Sequence, residues 1–186
     1  MSPKKMTTSS SYCLGALLLL SFATACDTES DVPDIPYCDS VSDWDPDWAS
    51  LEDEILDLTN QVRQAGRNCG AEGVFPPAPP LTADPALRCA ARIHAQDMDA
   101  RSYFAHTSPE GEQPWDRMDN AGYSWSSAAE NIAAGNATAE ATMNQWLNSD
   151  GHCANIMSAS SVDLGVGYVP SGLYGTLWVQ VFGSPQ

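Results

Sequence analysis

Lysine is almost missing from this chain: Lys4 and Lys5 are the only two, and both lie at the N-terminal end. The 186 residues carry 8 basic side chains against 24 acidic ones, a formal net charge of −16. A surface of that sign repels polyanions, which excludes nucleic acid as a partner and disfavours adsorption of a folded domain to anionic lipid. Histidine is scarce too. His94, His106 and His152 are the whole supply, so any imidazole chemistry must draw on these three. There is no HExxH run of the zinc-protease kind. Internal repeats are lacking. The apolar run at residues 14–22 (LGALLLLSF) is too short to span a bilayer comfortably.

That short run has a different use. With Lys4 and Lys5 before it and the small residues Ala23, Thr24 and Ala25 behind it, it reads as a signal peptide over residues 1–25. The stretch ATAC resembles a bacterial lipobox, which would make Cys26 a lipidated first residue; ordinary cleavage near Ala25 is the alternative. The expected location is therefore outside the cytoplasm, as a membrane-anchored lipoprotein of a bacterial cell envelope or as a secreted protein. Acyl chains at Cys26 would be the only membrane contact. Past residue 25 the chain has six arginines against all 24 acids, a formal charge of −18. Residues 26–47 are acidic and poor in apolar groups, and read as a solvated tether ahead of a folded domain over residues 48–186. Cys38, Cys69, Cys89 and Cys153 remain, an even set in an exported chain, so two disulfides are expected; four cysteines allow three pairings.

Within the domain, Ser50 and Asp53 form a capping-box pattern ahead of Leu51, Ile55, Leu58 and Val62, with Gly66 as a stop. A Gly- and Pro-rich loop follows over residues 70–83. Asp84-Pro85 then opens a second helix with Leu87, Ala90, Ala91, His94 and Met98 on one face. Short helices are expected near residues 114–121 and 139–148. The period then changes: Leu164, Val166 and Tyr168 alternate with glycines, residues 170–172 turn, and residues 174–182 (YGTLWVQVF) read as a central strand. Residues 128–134 supply a third strand. The fold class is α+β, helices with a small antiparallel sheet.

The chemistry concentrates in two places. In SDGHCANIM, residues 149–157, His152 adjoins Cys153. This pair reads as a nucleophile with its base, half of a metal site, or a disulfide beside an unrelated histidine. In AAENI, residues 128–132, Glu130 is embedded among small and apolar groups, and a buried carboxylate needs partners. His106 and His152 are natural ones. His94, on an apolar stripe, reads as a core histidine. Trp44 and Trp48 read as packing the N-terminal segment onto the domain, and Trp115, Trp146 and Trp178 as core or sheet residues.

These segments occur in a recognisable order: Asn60-Gln61-Val62-Arg63, Tyr103-Phe104-Ala105-His106, Ala121-Gly122-Tyr123, Glu130-Asn131-Ile132-Ala133, residues 151–157 (GHCANIM), Gly165-Val166-Gly167 and residues 178–183 (WVQVFG). Over about residues 51–184 the chain resembles a bacterial member of the CAP superfamily, the group of cysteine-rich secretory proteins, antigen 5 and pathogenesis-related 1, whose unit is also called the SCP domain. The resemblance implies an α-β-α sandwich with a central antiparallel sheet. It implies a cleft where His106, His152 and Glu130 converge, braced by Asn131, with zinc or another divalent ion as a potential occupant. Asn60 and Arg63 match a structural signature. The sequence departs from the family at Ala129, where Gly is usual, and near Ser149, where animal members carry a second cleft glutamate; Asp150 is the nearest acid. Cys153 stands where Arg is frequent in relatives without cysteines, which favours the disulfide reading. The preferred pairing is Cys69 with Cys153 and Cys38 with Cys89. The resemblance implies a binding or interaction module whose ligand is a lipid, a sterol-like molecule or a protein. A zinc-dependent hydrolase using the same cleft and a structural protein with a vestigial cleft are the alternatives.

Overall fold

The computed structural model describes residues 31–186; the signal peptide expected over residues 1–25 and the expected lipidation site Cys26 lie outside the described residues. Along the chain run α1 (Pro46–Ala65), β1 (Arg67–Asn68), β2 (Val74–Phe75), β3 (Thr82–Ala83), α2 (Pro85–Ala100), α3 (Pro114–Asn120), β4 (Trp125–Ala134), α4 (Ala139–Leu147), α5 (Asp150–Met157), β5 (Asp163–Ser171) and β6 (Gly175–Pro185). No helix among the described residues is long and apolar enough to cross a membrane.

The main sheet has the order β3-β5-β6-β4. The β5–β6 hairpin and the β4–β6 pair are antiparallel, with Gln180 of β6 opposite Asn131 of β4 and Val166 of β5. The two-residue edge strand β3 runs parallel to β5, which the sequence reading does not foresee. Strand alternation sends side chains to two layers. Leu177, Val179 and Val181 pack with Ile132 against Leu87, Ala91, Ala95 and Met98 of α2 and Met118 of α3. Trp178 and Phe182 face the other way, with Leu164, Val166 and Tyr168, onto α1, α4 and α5. Helices therefore cover both faces of the sheet.

Helix α1 begins before the expected Ser50. Asp45 is its N-cap, its side chain accepting from the Asp47 amide, and Pro46 opens the first turn. Helix α2 begins at the predicted Asp84-Pro85. Residues 150–157 form α5, a helix that the sequence pattern does not give. Arg63 explains how so short a helix is held. Fully buried, it donates to the carbonyls of Pro79, Ile156, Ser158 and Ser161, taking up groups at the C-terminal end of α5 that the helix itself leaves open. Asn60 clamps the neighbouring loop through both the amide and the carbonyl of Leu81.

The larger departure concerns the expected tether. From Asp31 onward it is part of the fold. Val32, Cys38 and Val41 are buried with Cys89, Ala90 and Ala121. Disulfide Cys38–Cys89 ties the segment to α2, and Cys69–Cys153 ties the stretch after α1 to α5. Asp31 pairs with Arg88 and Arg92; Arg92 also pairs with fully buried Glu52 and lies 4.9 Å from the Trp44 ring centre. The acidic composition hides this docking because the few apolar residues are spaced irregularly and one acid, Asp31, finds Arg88 and Arg92 on α2. Trp146 and Trp178 are core residues, whereas Trp115 is 44% exposed and not a core or sheet residue.

Candidate functional site

Strand β4 builds the site by pointing consecutive side chains in opposite directions. Glu130 goes to the α2/α3 side and Asn131 to the α5 side. On the first side, Glu130 Oε1 is 2.8 Å from His106 Nδ1 and Oε2 is 2.9 Å from the Arg117 guanidinium. The carboxylate side chain is 2% exposed and Arg117 1%, while the His106 ring is 49% exposed. A carboxylate can only accept, so His106 donates from Nδ1 and keeps Nε2 as its free nitrogen.

His106 reaches this position because of how α2 ends. Tyr103 N–H donates to Met98 C=O and Ser102 N–H to Asp99 C=O, the Schellman pattern, with Ser102 in the left-handed region at φ 55°. The reversal brings Tyr103 back over α2, where its hydroxyl donates to Asp97 at 2.5 Å and lies 3.5 Å from His94 Nδ1. His94 is the core histidine expected from its stripe, but it also borders the site: its Nε2 is 3.8 Å from Glu130 Oε1 and has no hydrogen-bond partner. Burial pushes the His94 imidazole down to about 4, with Glu130 opposing that shift and Arg117 adding to it.

On the other side, Asn131 is fully buried. Its amide donates to the His152 carbonyl at 3.2 Å and to Gln180 Oε1 at 3.1 Å, and its oxygen accepts from Asn155 at 2.9 Å. The Asn131–Gln180–Thr59 chain fastens β4, β6 and α1 together beneath α5. His152 is half-buried with its Nδ1 unpartnered. Burial lowers its basicity, and the charge His106 carries when protonated lowers it further. Cys153, in its disulfide, is not a nucleophile. Asp150 does not replace the second glutamate missing near Ser149: its carboxylate accepts from the Ala71 amide at 2.9 Å.

The donor set fits a divalent metal poorly. Zinc takes imidazole nitrogen and carboxylate oxygen with free lone pairs directed at one point. Both Glu130 oxygens are engaged, one by an imidazole N–H and one by a guanidinium. Among the described residues no group of three His, Cys, Asp or Glu side chains is arranged to hold a metal ion.

Arg117, Asn155, Gln180 and the nearness of His94 to Glu130 escape the sequence reading. The one available signal was that Glu130 requires a cation and that six arginines follow residue 25; nothing in the order of residues chooses Arg117. Elsewhere, two concavities of about 360 Å³ each flank α1, and neither is lined by His106, Glu130 or His152. One is an apolar groove between α1 and α4, with Leu58, Val62, Met143 and Leu147 on its walls and Arg67 at its rim.

Residues 56–182 match the family model described as the cysteine-rich secretory protein family. The uncharacterized protein YkwD of Bacillus subtilis is 38% identical over 134 residues, 72% of this chain and 47% of YkwD. A crystal structure of an extracellular protein containing an SCP domain from Bacillus anthracis superposes with a TM-score of 0.62 at 30% identity, covering 75% of this chain and 43% of that one. An outer surface protein of Borrelia burgdorferi superposes with a TM-score of 0.59 at 21% identity, covering 75% of this chain and 93% of its own. The chain thus spans less than half the length of YkwD and of the Bacillus anthracis protein.

Proposed function

The chain belongs to the cysteine-rich secretory protein family, and from that premise we propose that it is an exported binding module of the bacterial cell envelope. Its ligand cleft is built from His106, Glu130, His152 and Asn131. The observation that carries this reading is the arrangement around Glu130: a buried carboxylate saturated by Arg117 and His106 fixes a half-exposed imidazole in one tautomer and orientation. A preorganised polar group at the surface recognises a ligand without first being ordered. Export agrees with two disulfides in the fold and with the extracellular and outer-surface descriptions of the Bacillus anthracis and Borrelia proteins. Attachment would be through lipid at Cys26; globomycin sensitivity and an acylated mature N-terminus are the expected results, and an unmodified N-terminus would refute attachment.

The apolar groove between α1 and α4 favours a second reading, in which an aliphatic ligand lies there and not in the cleft. One titration separates them. Decanoate and cholesterol sulfate are added to ¹³C,¹⁵N-labelled protein while ring signals of His106 and His152 and methyl signals of Leu58 and Val62 are followed. Saturable shifts of the two rings, lost in His106→Ala, support the cleft. Shifts confined to the methyl groups support the groove and overturn the cleft reading for these ligands. The hydrolase alternative is expected to be zinc-dependent, with His106 and His152 as ligands and Glu130 as ligand or general base. Since Glu130 is engaged by Arg117 and His106, a metal-free form would use the His106 imidazole as the base, a carboxylate-oriented histidine being suited to taking a proton from water. Turnover of ester or peptide substrates that disappears in His106→Ala would support it.

A further inference from the structure

We propose that Arg117 is a built-in cation of the cleft, standing against Glu130 where a divalent metal would otherwise act, so that the cleft takes its ligand without metal. The geometry is specific. One terminal nitrogen of Arg117 donates both to Glu130 Oε2 and to the His106 carbonyl, each at 2.9 Å, and the other donates to the Glu112 carbonyl at 3.3 Å. The guanidinium thus neutralises the carboxylate and also fixes the loop that delivers the His106 ring to Oε1. These are two tasks a bridging metal would perform.

A metal could take Glu130 as a ligand only by displacing Arg117 or the His106 N–H from it. Displacing Arg117 would leave a guanidinium unpaired in a position that is 1% exposed, beside a second positive charge. Arginine cannot yield by losing its proton, as a lysine or a histidine could. The Glu112 carboxylate accepts from Tyr37 and Asn120 and only its backbone carbonyl meets Arg117, so among the described residues Glu130 is the carboxylate that ion-pairs with the guanidinium. The consequence for recognition rests on the cleft reading above. With the charge of Glu130 cancelled internally, the accessible groups are the His106 and His152 rings, and the ligand head group they suit is a neutral or anionic hydrogen-bonding one.

The metal part of the proposal is tested without any ligand. Zinc is titrated calorimetrically into the oxidised mature chain, its Arg117→Lys, Arg117→Met and Glu130→Gln variants, and the Arg117→Met/Glu130→Gln double variant. Cobalt(II) absorption serves as a second readout. The wild type is expected to show no Glu130-dependent binding below about 1 mM zinc, Arg117→Lys is expected to bind more weakly than Arg117→Met, and Arg117→Met is expected to bind at least about tenfold more tightly than the wild type, with the gain lost in the double variant. Wild-type binding tighter than about 10 µM that disappears in Glu130→Gln would overturn the proposal. So would a folded Arg117→Met with no gain. Should Arg117→Met fail to fold, Arg117→Gln takes its place, and the wild-type titration decides by itself.

Discussion

At the scale of single residues, His94 carries the most distinctive consequence. It is 1% exposed and faces Glu130 from β4, Arg117 from α3, Asp97 from its own helix and Tyr103 from the loop beyond. In the unfolded chain this imidazole protonates near its ordinary 6.5, and in the fold near 4, mainly because burial disfavours the cation. Between those values the unfolded state binds more protons, so stability is complete above about pH 6.5 and declines as pH falls toward 4. The shift corresponds to a loss on the order of 3 kcal/mol across the window. His152, lowered in the same direction, adds to the trend. Urea unfolding at pH 7.5 and pH 5 should show a clear drop in midpoint for the wild type and a smaller one for His94→Gln. Equal drops would remove His94 as the cause.

At the scale of elements, the joint between α2 and β5 sets how the sandwich closes. A Cβ added to Gly165 would lie 2.0 Å from the Leu87 carbonyl carbon, and one added to Gly167 would lie 2.4 Å from that of Ala91. Both contacts are to helix backbone, which cannot swing aside as a side chain can. Gly165→Ala or Gly167→Ala should therefore cost about 3 kcal/mol or more, read as a lowered thermal midpoint, whereas Gly172→Ala, whose Cβ meets nothing, should cost little. Helix α5 is held differently, by Arg63 at one end and the Cys69–Cys153 disulfide within it. In a Cys69→Ala/Cys153→Ala variant, hydrogen exchange should speed up over residues 150–157 before the sheet opens, and global stability should fall by about 4.6 kcal/mol, the closure entropy of a loop of this length. Uniform loss of protection would argue against this local role.

The same elements explain what was legible in the sequence. The β5–β6 hairpin and α2 announce themselves because period, caps and turn residues agree. Helix α5 does not, since eight residues with an internal glycine are helical only through partners distant in the chain. Helix α1 has an Asp-Pro start as plain as that of α2, but it sits inside a stretch whose acids read as solvated. Within the site, His106, Glu130, His152 and Asn131 are visible as residue types in a family order. Which oxygen meets which nitrogen is set by the alternation of β4 and the turn after α2. Neither the Arg117 pairing nor the Gln180 and Asn155 amides that hold Asn131 can be read along the chain.

At the scale of the molecule, the N-terminal strap decides how the domain is presented. Residues 31–47 are fastened by Cys38–Cys89, by the burial of Val32 and Val41, and by Arg92 shared between Asp31 and Glu52. Burial alone would raise the Asp31 pKa, yet hydrogen bonds and charge from Arg92 and Arg88 hold it below the ordinary carboxylate value. If Cys26 carries lipid, it precedes Asp31 by five residues, so covalent geometry keeps the anchor within roughly 17 Å of the docked strap. The domain is then held close to a bilayer whose headgroups its net charge of −18 past residue 25 disfavours, instead of ranging on a 22-residue tether. The strap is testable without the lipid. Opening the 51-residue separation closed by Cys38–Cys89, in a Cys38→Ser/Cys89→Ser variant, should cost about 4 kcal/mol and lower the thermal midpoint by about 10 °C. In the oxidised wild type, a protease specific for acidic residues should spare Asp39, Asp43 and Asp45 under native conditions, and in the variant it should cut there first. Equally fast cleavage of the two proteins would mean that the segment is a free tether after all, and that the cleft can sample a wide volume above the membrane.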